Sequence, residues 1–589
     1  MLKPSPSKLL AFLNTGLRLV AIAAVAGLQW GCAQDGGGSP LADRELREGS
    51  EIYIGDSRYH LTQVSEQASE SSSSSSKPEE AESAPAQAAP EAAPAVASVP
   101  VKKPTPRPTP RPIDVDYILT KSRDISVGVS ADIPKARIQN EAKPFIPASI
   151  TKVLTTAVAL KHLGPDFRFK TTVSFVQEGA VAKDIVIVAD GDPTVEIDSY
   201  AAGSPRRMTE MAMALKEKGV KEIRGPLTLL SAHAQLDDVR YAVGIPTIDM
   251  RECYGSLASS FNYHWNCANA RIHPKSGFRW ESSGIESLLA GTLDTSAGEK
   301  NSLAIDVLLS PDRVLEGFRL RGSYNAKSPR VINWKLPIGN SAGWYGQEFY
   351  QALKAKQVKV PSDAAVRFAK SDADRREAAT MLKQSGRIEL NFESADLAAL
   401  SEATNKPSDN FLADSILKAV GVRSAGGNMA GDALALGQAK MSEFIANWLA
   451  RDGQAQLKDE MRFHEGAGLS NQNSATPRAF MAVLRQLPEE SFFPALWDSL
   501  PSAGEDGTLA GRMGKTIVEG RVRGKTGTLT GSYQLVGYIP KQAGSRVEYV
   551  PFVILTSTSA RNRDKVRKFQ DALVVKMAET IGRRELADR

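Results

Sequence analysis

Between about residues 64 and 114 this chain has almost nothing to bury. Ser71 to Ser76 runs into Ala/Pro/Glu-rich sequence and then into Thr105-Pro106-Arg107-Pro108-Thr109-Pro110-Arg111-Pro112. Such a stretch lacks the apolar side chains that offset the entropy of ordering, so it reads as a disordered tether. Its proline part is expected to be polyproline II, rising about 3.1 Å per residue. This feature divides the 589 residues into a short N-terminal part and a globular body that starts near Ile113. The body is long enough for several domains and a substantial core.

Ahead of the tether, Lys3, Lys8 and Arg18 precede the apolar run Leu19 to Leu28. The run is too short to span a bilayer comfortably and fits the core of a signal peptide over residues 1–31. Gly31-Cys32 follows and resembles the end of a lipoprotein signal, although Gln29 and Trp30 stand where small or aliphatic residues are usual. Lipidation of Cys32 is the expectation, with cleavage by an ordinary signal peptidase as the alternative. The protein is therefore expected to be exported to the periplasm or cell envelope and lipid-anchored to a membrane through Cys32. Residues 32–114 would then hold the body away from that membrane. Within them Glu51-Ile52-Tyr53-Ile54 reads as a short strand. The remaining cysteines, Cys253 and Cys267, lie close enough to close a short loop. An exported chain favours a disulfide, which would stabilise the fold by about 3 kcal/mol in the chain-entropy model; two reduced, buried thiols are the alternative.

Charge excludes some partners. Lys and Arg number 73 against 67 Asp and Glu, and the net +6 is spread along the chain. With no dense basic block outside the proline-rich stretch, nucleic acid is not an expected partner. The six histidines are scattered singly, so no zinc-type spacing exists; no metal and no cofactor are expected.

In chain order, Ile125 to Val129 reads as a strand, and a helix follows over Val153 to Leu160. Phe169 to Val176 and Asp184 to Val188 read as strands, the second ending at Asp190-Gly191-Asp192-Pro193-Thr194. Met208 to Lys218 reads as a helix and Pro226 to Leu230 as a strand. From there to about Arg376 the chain is strand-rich and carries no motif assignable to chemistry. Helical periodicity returns at Leu397 to Leu400, Phe411 to Val420 and Leu434 to Leu449. Tyr533 to Ile539 and Val547 to Thr556 are strand-like, and Arg563 to Ile581 is a terminal helix.

Chemistry enters at Pro147-Ala148-Ser149-Ile150-Thr151-Lys152, a turn opening a helix. Residues three apart share a helix face, and an amine beside a serine can take the hydroxyl proton. Spacing alone does not select this pair, because Ser5/Lys8, Ser74/Lys77 and Ser415/Lys418 have it too. Two further motifs do. Ser408-Asp409-Asn410 sits where a loop meets a helix, and taken alone it reads as an N-cap. Lys525-Thr526-Gly527-Thr528 precedes a Gly-containing turn and, taken alone, reads as an exposed strand. Each tripeptide arises by chance about one time in ten in a chain this long. All three in this order are far rarer.

The ordered triple Ser-x-x-Lys, Ser-Asp-Asn, Lys-Thr-Gly is the signature of penicillin-binding proteins and class A β-lactamases. The long interval from Ser149 to Ser408 sets the chain apart from class A β-lactamases. Over roughly residues 115 to 580 the chain resembles the class C penicillin-binding proteins of the type 4 group, the D-alanyl-D-alanine carboxypeptidases/endopeptidases. Gly191-Asp192-Pro193-Thr194, Gly466-Ala467-Gly468-Leu469-Ser470 and Ala503-Gly504-Glu505-Asp506-Gly507-Thr508-Leu509 look like further family signatures, with Ala467 replacing a common serine. Members of that group can carry a bridge where Cys253 and Cys267 fall.

The resemblance implies an α/β (α+β) fold: a penicillin-recognising serine transpeptidase-like domain, an antiparallel sheet flanked by helices, with two strand-rich inserted domains. Residues 115–175 and 386–589 would form the first and 176–385 the insertions. Ser149 would be the nucleophile and Lys152 its general base, kept partly neutral by desolvation and by Lys525 as a second cation. Ser408 would relay a proton to the leaving amine, and Asn410 would hold Lys152 and the substrate amide. Thr526, Gly527 and Thr528 would bind substrate, the threonines with Lys525 taking its terminal carboxylate. The N–H groups of Ser149 and Thr528 would form an oxyanion hole. The implied partners are peptidoglycan stem peptides, hydrolysed through an acyl-enzyme, and β-lactams acylating Ser149 as inhibitors. No Glu-x-x-Leu-Asn-type segment follows Ser408 to activate a deacylating water, so slow release of penicillin is expected. The alternatives are a β-lactamase or esterase using the same serine, and a non-catalytic, tethered peptidoglycan-binding protein.

Overall fold

In the computed structural model, residues 124–133, 139–197, 206–273, 277–281, 285, 302–323, 331–339, 341–424 and 431–587 are described, together with the backbone at 51–54, 57–60 and 289–290. The chain divides into two units, residues 1–105 and 106–589. In the first, Glu51–Ile54 pairs antiparallel with Ser57–His60. The signal segment, Cys32 and the Ser/Ala/Pro-rich stretch lie outside the described residues. No described helix is long and apolar enough to cross a membrane.

The second unit is built on a four-stranded antiparallel sheet in the order Arg523–Leu529, Ser532–Ala543, Arg546–Ser557, Ser126–Ala131. The Tyr533–Ile539 run is buried throughout, as expected of a strand covered on both faces. The Pro477–Gln486 helix supplies Leu484, whose carbonyl accepts from Tyr538 Oη, and the Arg563–Ile581 helix supplies Gln570, which donates to the Tyr533 carbonyl. Beside the sheet, Thr151–Leu163 is buried all round from Thr151 to Leu160, so it is a core helix and not an amphipathic one. The Leu397–Asn405, Asn410–Ser424 and Ala433–Arg451 helices contribute Leu400, Ile416 and Trp448 to the same core.

A second body is inserted between the first helix and the Leu397–Asn405 helix. Its six-stranded mixed sheet takes Lys170–Glu178, Val181–Ala189, Glu222–Arg224, Leu227–Ser231, Val366–Phe368 and Arg387–Glu393. The Arg207–Glu217 and Ala342–Ala355 helices pack Met211, Leu215, Phe349 and Leu353 against it, forming a separate core. Two three-stranded sheets follow. One joins Cys267–His273, Gly277–Trp280 and Ile332–Pro337; the other joins Leu289–Ala290, Ser302–Leu309 and Leu315–Ser323.

Two features differ from the sequence reading. Division points at 175/176 and 385/386 fall inside one strand and beside its partner. Lys170–Glu178 and Arg387–Glu393 pair from Lys170↔Glu393 to Val176↔Arg387, so the chain crosses between bodies outside this ladder. The stretch read as strand-rich also holds the helices Ala342–Ala355 and Asp372–Leu382. The first is rich in aromatic residues of high strand propensity, yet Tyr345, Phe349 and Leu353 fall on one helical face and bury there.

Candidate active site

Ser149 lies in a one-turn 3-10 helix, Ala148–Ile150, that leads directly into Thr151–Leu163. The turn is held from two sides. Gln534, buried in the central sheet, donates to the Ile146 carbonyl at 2.5 Å and accepts from the Thr556 N–H at 2.7 Å. Behind it runs the Gly466–Ser470 loop, where a Cβ on Gly468 would stand 2.0 Å from the Ala148 carbonyl oxygen at a φ of +91°. Only glycine fits there.

Lys152, one turn on, is fully buried. Its Nζ donates to Asn410 Oδ1 at 2.6 Å and to the Ala467 carbonyl at 2.6 Å, and stands 3.0 Å from Ser149 Oγ. Burial pulls its pKa down to about 8, against Glu465, Asp409 and Asp414, whose charges raise it. Of the two causes expected, a second cation and desolvation, burial is the larger. A neutral amine has two N–H bonds and one lone pair. Asn410 Oδ1 and the Ala467 carbonyl are acceptors that take the two N–H bonds, which leaves the lone pair for the Ser149 hydroxyl. The orientation of the Asn410 amide is set in turn by its Nδ2, which donates to the Tyr254 carbonyl at 2.9 Å.

Ser408 has a φ of +68°, which turns the Ser408–Asn410 triplet out of the preceding helix. Its Oγ accepts from Lys525 Nζ at 2.8 Å. Asp409 caps the next helix, its Oδ1 accepting from the Leu412 N–H, while its Oδ2 accepts from Trp265 Nε1 at 2.9 Å. Lys525 is buried in the edge strand of the central sheet and also donates to the Thr526 carbonyl. Thr526 Oγ1 donates to Thr508 Oγ1 at 2.8 Å. Gly527 is required because a Cβ there would lie 2.7 Å from the Pro147 carbonyl oxygen, where the strand passes the Ser149 turn. Thr528 follows in the same strand, part-exposed.

The structure thus gathers Ser149, Lys152 and Asn410 into one hydrogen-bonded group and Ser408 with Lys525 into another, adjoining through the Ser408–Asn410 triplet, with Thr526, Gly527 and Thr528 continuing the Lys525 strand. Cys253 and Cys267 are joined, with Cα atoms 5.5 Å apart. Among the described residues no group of His, Cys, Asp and Glu is arranged to hold a metal ion. Two contributors carry no motif of their own. Glu465 is a buried carboxylate that accepts from the N–H groups of Ala467, Gly468 and Ser470 and from Asn473 Nδ2, and so shapes the loop that offers the Ala467 carbonyl. Its only signal in the sequence is its place beside the Gly466 signature. Tyr254 acts through its backbone, which any residue could supply, so nothing in the sequence marks it. Chemically, the site places a hydroxyl beside a buried amine of lowered pKa and a second lysine beside a second hydroxyl, the requirements of acyl transfer through a serine.

The chain is similar to known proteins over most of its length. Residues 128–580 match the model of the D-Ala-D-Ala carboxypeptidase 3 (S13) family. A D-alanyl-D-alanine carboxypeptidase of Actinomadura sp. is 26% identical over 457 residues, covering 74% of this chain and 78% of the relative. The D-alanyl-D-alanine carboxypeptidase DacB of Haemophilus influenzae is 22% identical over 425 residues, 69% of this chain and 80% of that protein. The crystal structure of penicillin binding protein 4 (dacB) from Haemophilus influenzae superposes with a TM-score of 0.61 at 20% identity, covering 79% of this chain and 99% of that one. The same protein has also been solved in complex with a β-lactam.

Proposed function

This chain belongs to the D-Ala-D-Ala carboxypeptidase 3 (S13) family, and from that premise we propose that it is a serine carboxypeptidase and DD-endopeptidase of peptidoglycan stem peptides, with Ser149 as nucleophile. The observation that carries the reading is the environment of Lys152: buried, with a pKa of about 8, and committed to two acceptors besides Ser149 Oγ. The Ser149 hydroxyl proton passes to Lys152 Nζ as Oγ attacks the carbonyl carbon of a D-Ala–D-Xaa bond. The oxyanion is held by the N–H groups of Ser149 and Thr528, and the substrate carboxylate by Thr526, Thr528 and Lys525. Ser408 relays to the departing amine the proton that Lys152 took from Ser149, the C–N bond breaks, and water later cleaves the Ser149 ester, restoring the Ser149 hydroxyl and releasing the acid. When D-alanine leaves, the enzyme acts as a carboxypeptidase; when a cross-linked stem leaves, as an endopeptidase.

Cross-linked muropeptides incubated with the purified protein should yield uncross-linked stems and free D-alanine, identified by mass. Fast turnover of a chromogenic cephalosporin without D-alanine release would replace this reading by a β-lactamase. Ser149→Ala should abolish labelling by fluorescent penicillin, and label retained on another serine would refute the assignment. The same reading places the protein in the cell envelope, exported and anchored through an acylated Cys32. Intact-mass measurement of the mature protein should find the lipid there, and an unmodified N-terminus would remove the anchor.

A further inference from the structure

The inserted body reaches the Ser408–Asn410 triplet through the loop closed by Cys253 and Cys267. Both stems of this loop end on the Ser408–Asn410 triplet. On one side Tyr254, the residue after Cys253, offers its carbonyl to Asn410 Nδ2 at 2.9 Å. On the other, Trp265, two residues before Cys267, donates its indole N–H to Asp409 Oδ2 at 2.9 Å. Between them the Ala258 carbonyl accepts from Lys418 Nζ at 2.8 Å, about two turns further along the Asn410 helix.

The second stem is held in an unusual conformation. His264, Trp265 and Asn266 are consecutive non-glycine residues with φ of +48°, +56° and +48°. Left-handed backbone at non-glycine residues costs on the order of 1 kcal/mol each and persists only where surrounding contacts fix it. Here those contacts are visible. Asn266 is fully buried, accepts from the Tyr263 N–H and donates to the Leu257 carbonyl and to Asn262 Oδ1. The disulfide to Cys253 follows directly. The left-handed turn throws Trp265 out of the loop and onto Asp409.

Resting on the function proposed above, we propose that Trp265 and the Cys253–Cys267 loop form a positioning element of the catalytic site. The loop sets the Asn410 amide that holds Lys152 and, through Asp409, the backbone that aims Ser408 at the leaving group. The insertion therefore serves proton delivery to the leaving amine. Cleavage of an amide needs that proton, because the amine is a poor leaving group; cleavage of a thioester does not, because a thiolate leaves unaided.

The test compares an acyl-D-Ala-D-Ala peptide with its thioester analogue, for the wild type, Trp265→Phe and the double variant Cys253→Ser/Cys267→Ser. Trp265→Phe keeps an aromatic ring at the position and removes the indole N–H together with the five-membered ring that carries it. Its kcat/KM for the peptide should fall by about tenfold, the scale of a lost hydrogen bond to a charged group, with a much smaller fall for the thioester. The cysteine variant should shift the same ratio in the same direction. Equal losses on both substrates, or no loss in Trp265→Phe, would overturn the proposal. Should the cysteine variant fail to fold, Trp265→Phe decides alone. A wild type that hydrolyses neither substrate would instead remove the underlying function, so the two failures are distinguishable.

Discussion

At the scale of single residues, the proton affinity of Lys152 governs the site. Its pKa of about 8 lies below the ordinary lysine value because burial penalises the ammonium, so only about a tenth of molecules hold it neutral at pH 7. If the neutral amine is the base, kcat/KM for acylation should rise with pH through about 8 and then level off. Stability follows the same group. Its folded pKa is below the unfolded one, so the folded state binds fewer protons between about 8 and 10.5, and its penalty is greatest below that window. Glu465 acts on this group twice, through its charge and through the loop that offers the Ala467 carbonyl. Glu465→Gln should move the rising limb of the acylation profile to lower pH and lower its plateau by about tenfold. A limb that stays in place would show that the carboxylate only builds the loop.

At the scale of elements, the nucleophile turn is fixed by close backbone approaches. Gly468 combines a φ of +91° with a Cβ position 2.0 Å from the Ala148 oxygen, whereas Gly386, at φ +77°, has nothing within 4 Å. Gly386→Ala should cost only the left-handed penalty, about 1 kcal/mol, and leave acylation unchanged. Gly468→Ala should displace Ser149 and reduce fluorescent-penicillin labelling by a hundredfold or more, on the scale expected for a misplacement of about 1 Å. Comparable labelling of both variants would remove the loop from the list of elements that place Ser149. The same contrast explains what is legible in the sequence. Ser149, Lys152, Ser408, Asn410, Lys525 and Thr526 stand out because acyl transfer demands those side chains at fixed local spacing. Tyr254 contributes a carbonyl, which no motif records, and Gly468, although it falls in the Gly466–Ser470 signature, contributes an absence of volume whose purpose the signature does not state. Trp265 reaches Asp409 through three left-handed residues, His264, Trp265 and Asn266, that local propensity does not assign to such a turn.

At the scale of the whole molecule, the inserted body is tied to the catalytic one by more than the disulfide loop. Arg423, at the end of the Asn410 helix, donates to Asp190 Oδ2 at 2.6 Å and stacks 4.5 Å over Phe167. Asp190 closes the Val181–Ala189 strand of the insert, and burial lifts its pKa to about 6 against the pull of Arg423. Because that value exceeds the unfolded one, the contribution of Asp190 to stability is present at low pH and declines as pH rises towards 6. Arg423→Met strands the carboxylate and should cost roughly 3 kcal/mol at pH 8, but less at pH 5, where Asp190 can take up a proton. Melting temperatures at the two pH values measure this, and equal losses would refute the pairing. The order of assembly is set by a different residue, Gln534. It joins the Ile146 carbonyl, just before the nucleophile, to a strand 388 residues further on, and the edge strand Ser126–Ala131 waits for Phe552–Ser557 as its partner. Contacts so remote in sequence close late. During synthesis from the N-terminus, Ser149 emerges early, but the sheet that seats it exists only once nearly the entire polypeptide has left the ribosome. The nascent chain is thus a silent hydrolase until its last ninth, which begins at Arg523, arrives, and any premature stop before that point yields a protein with a serine and no enzyme.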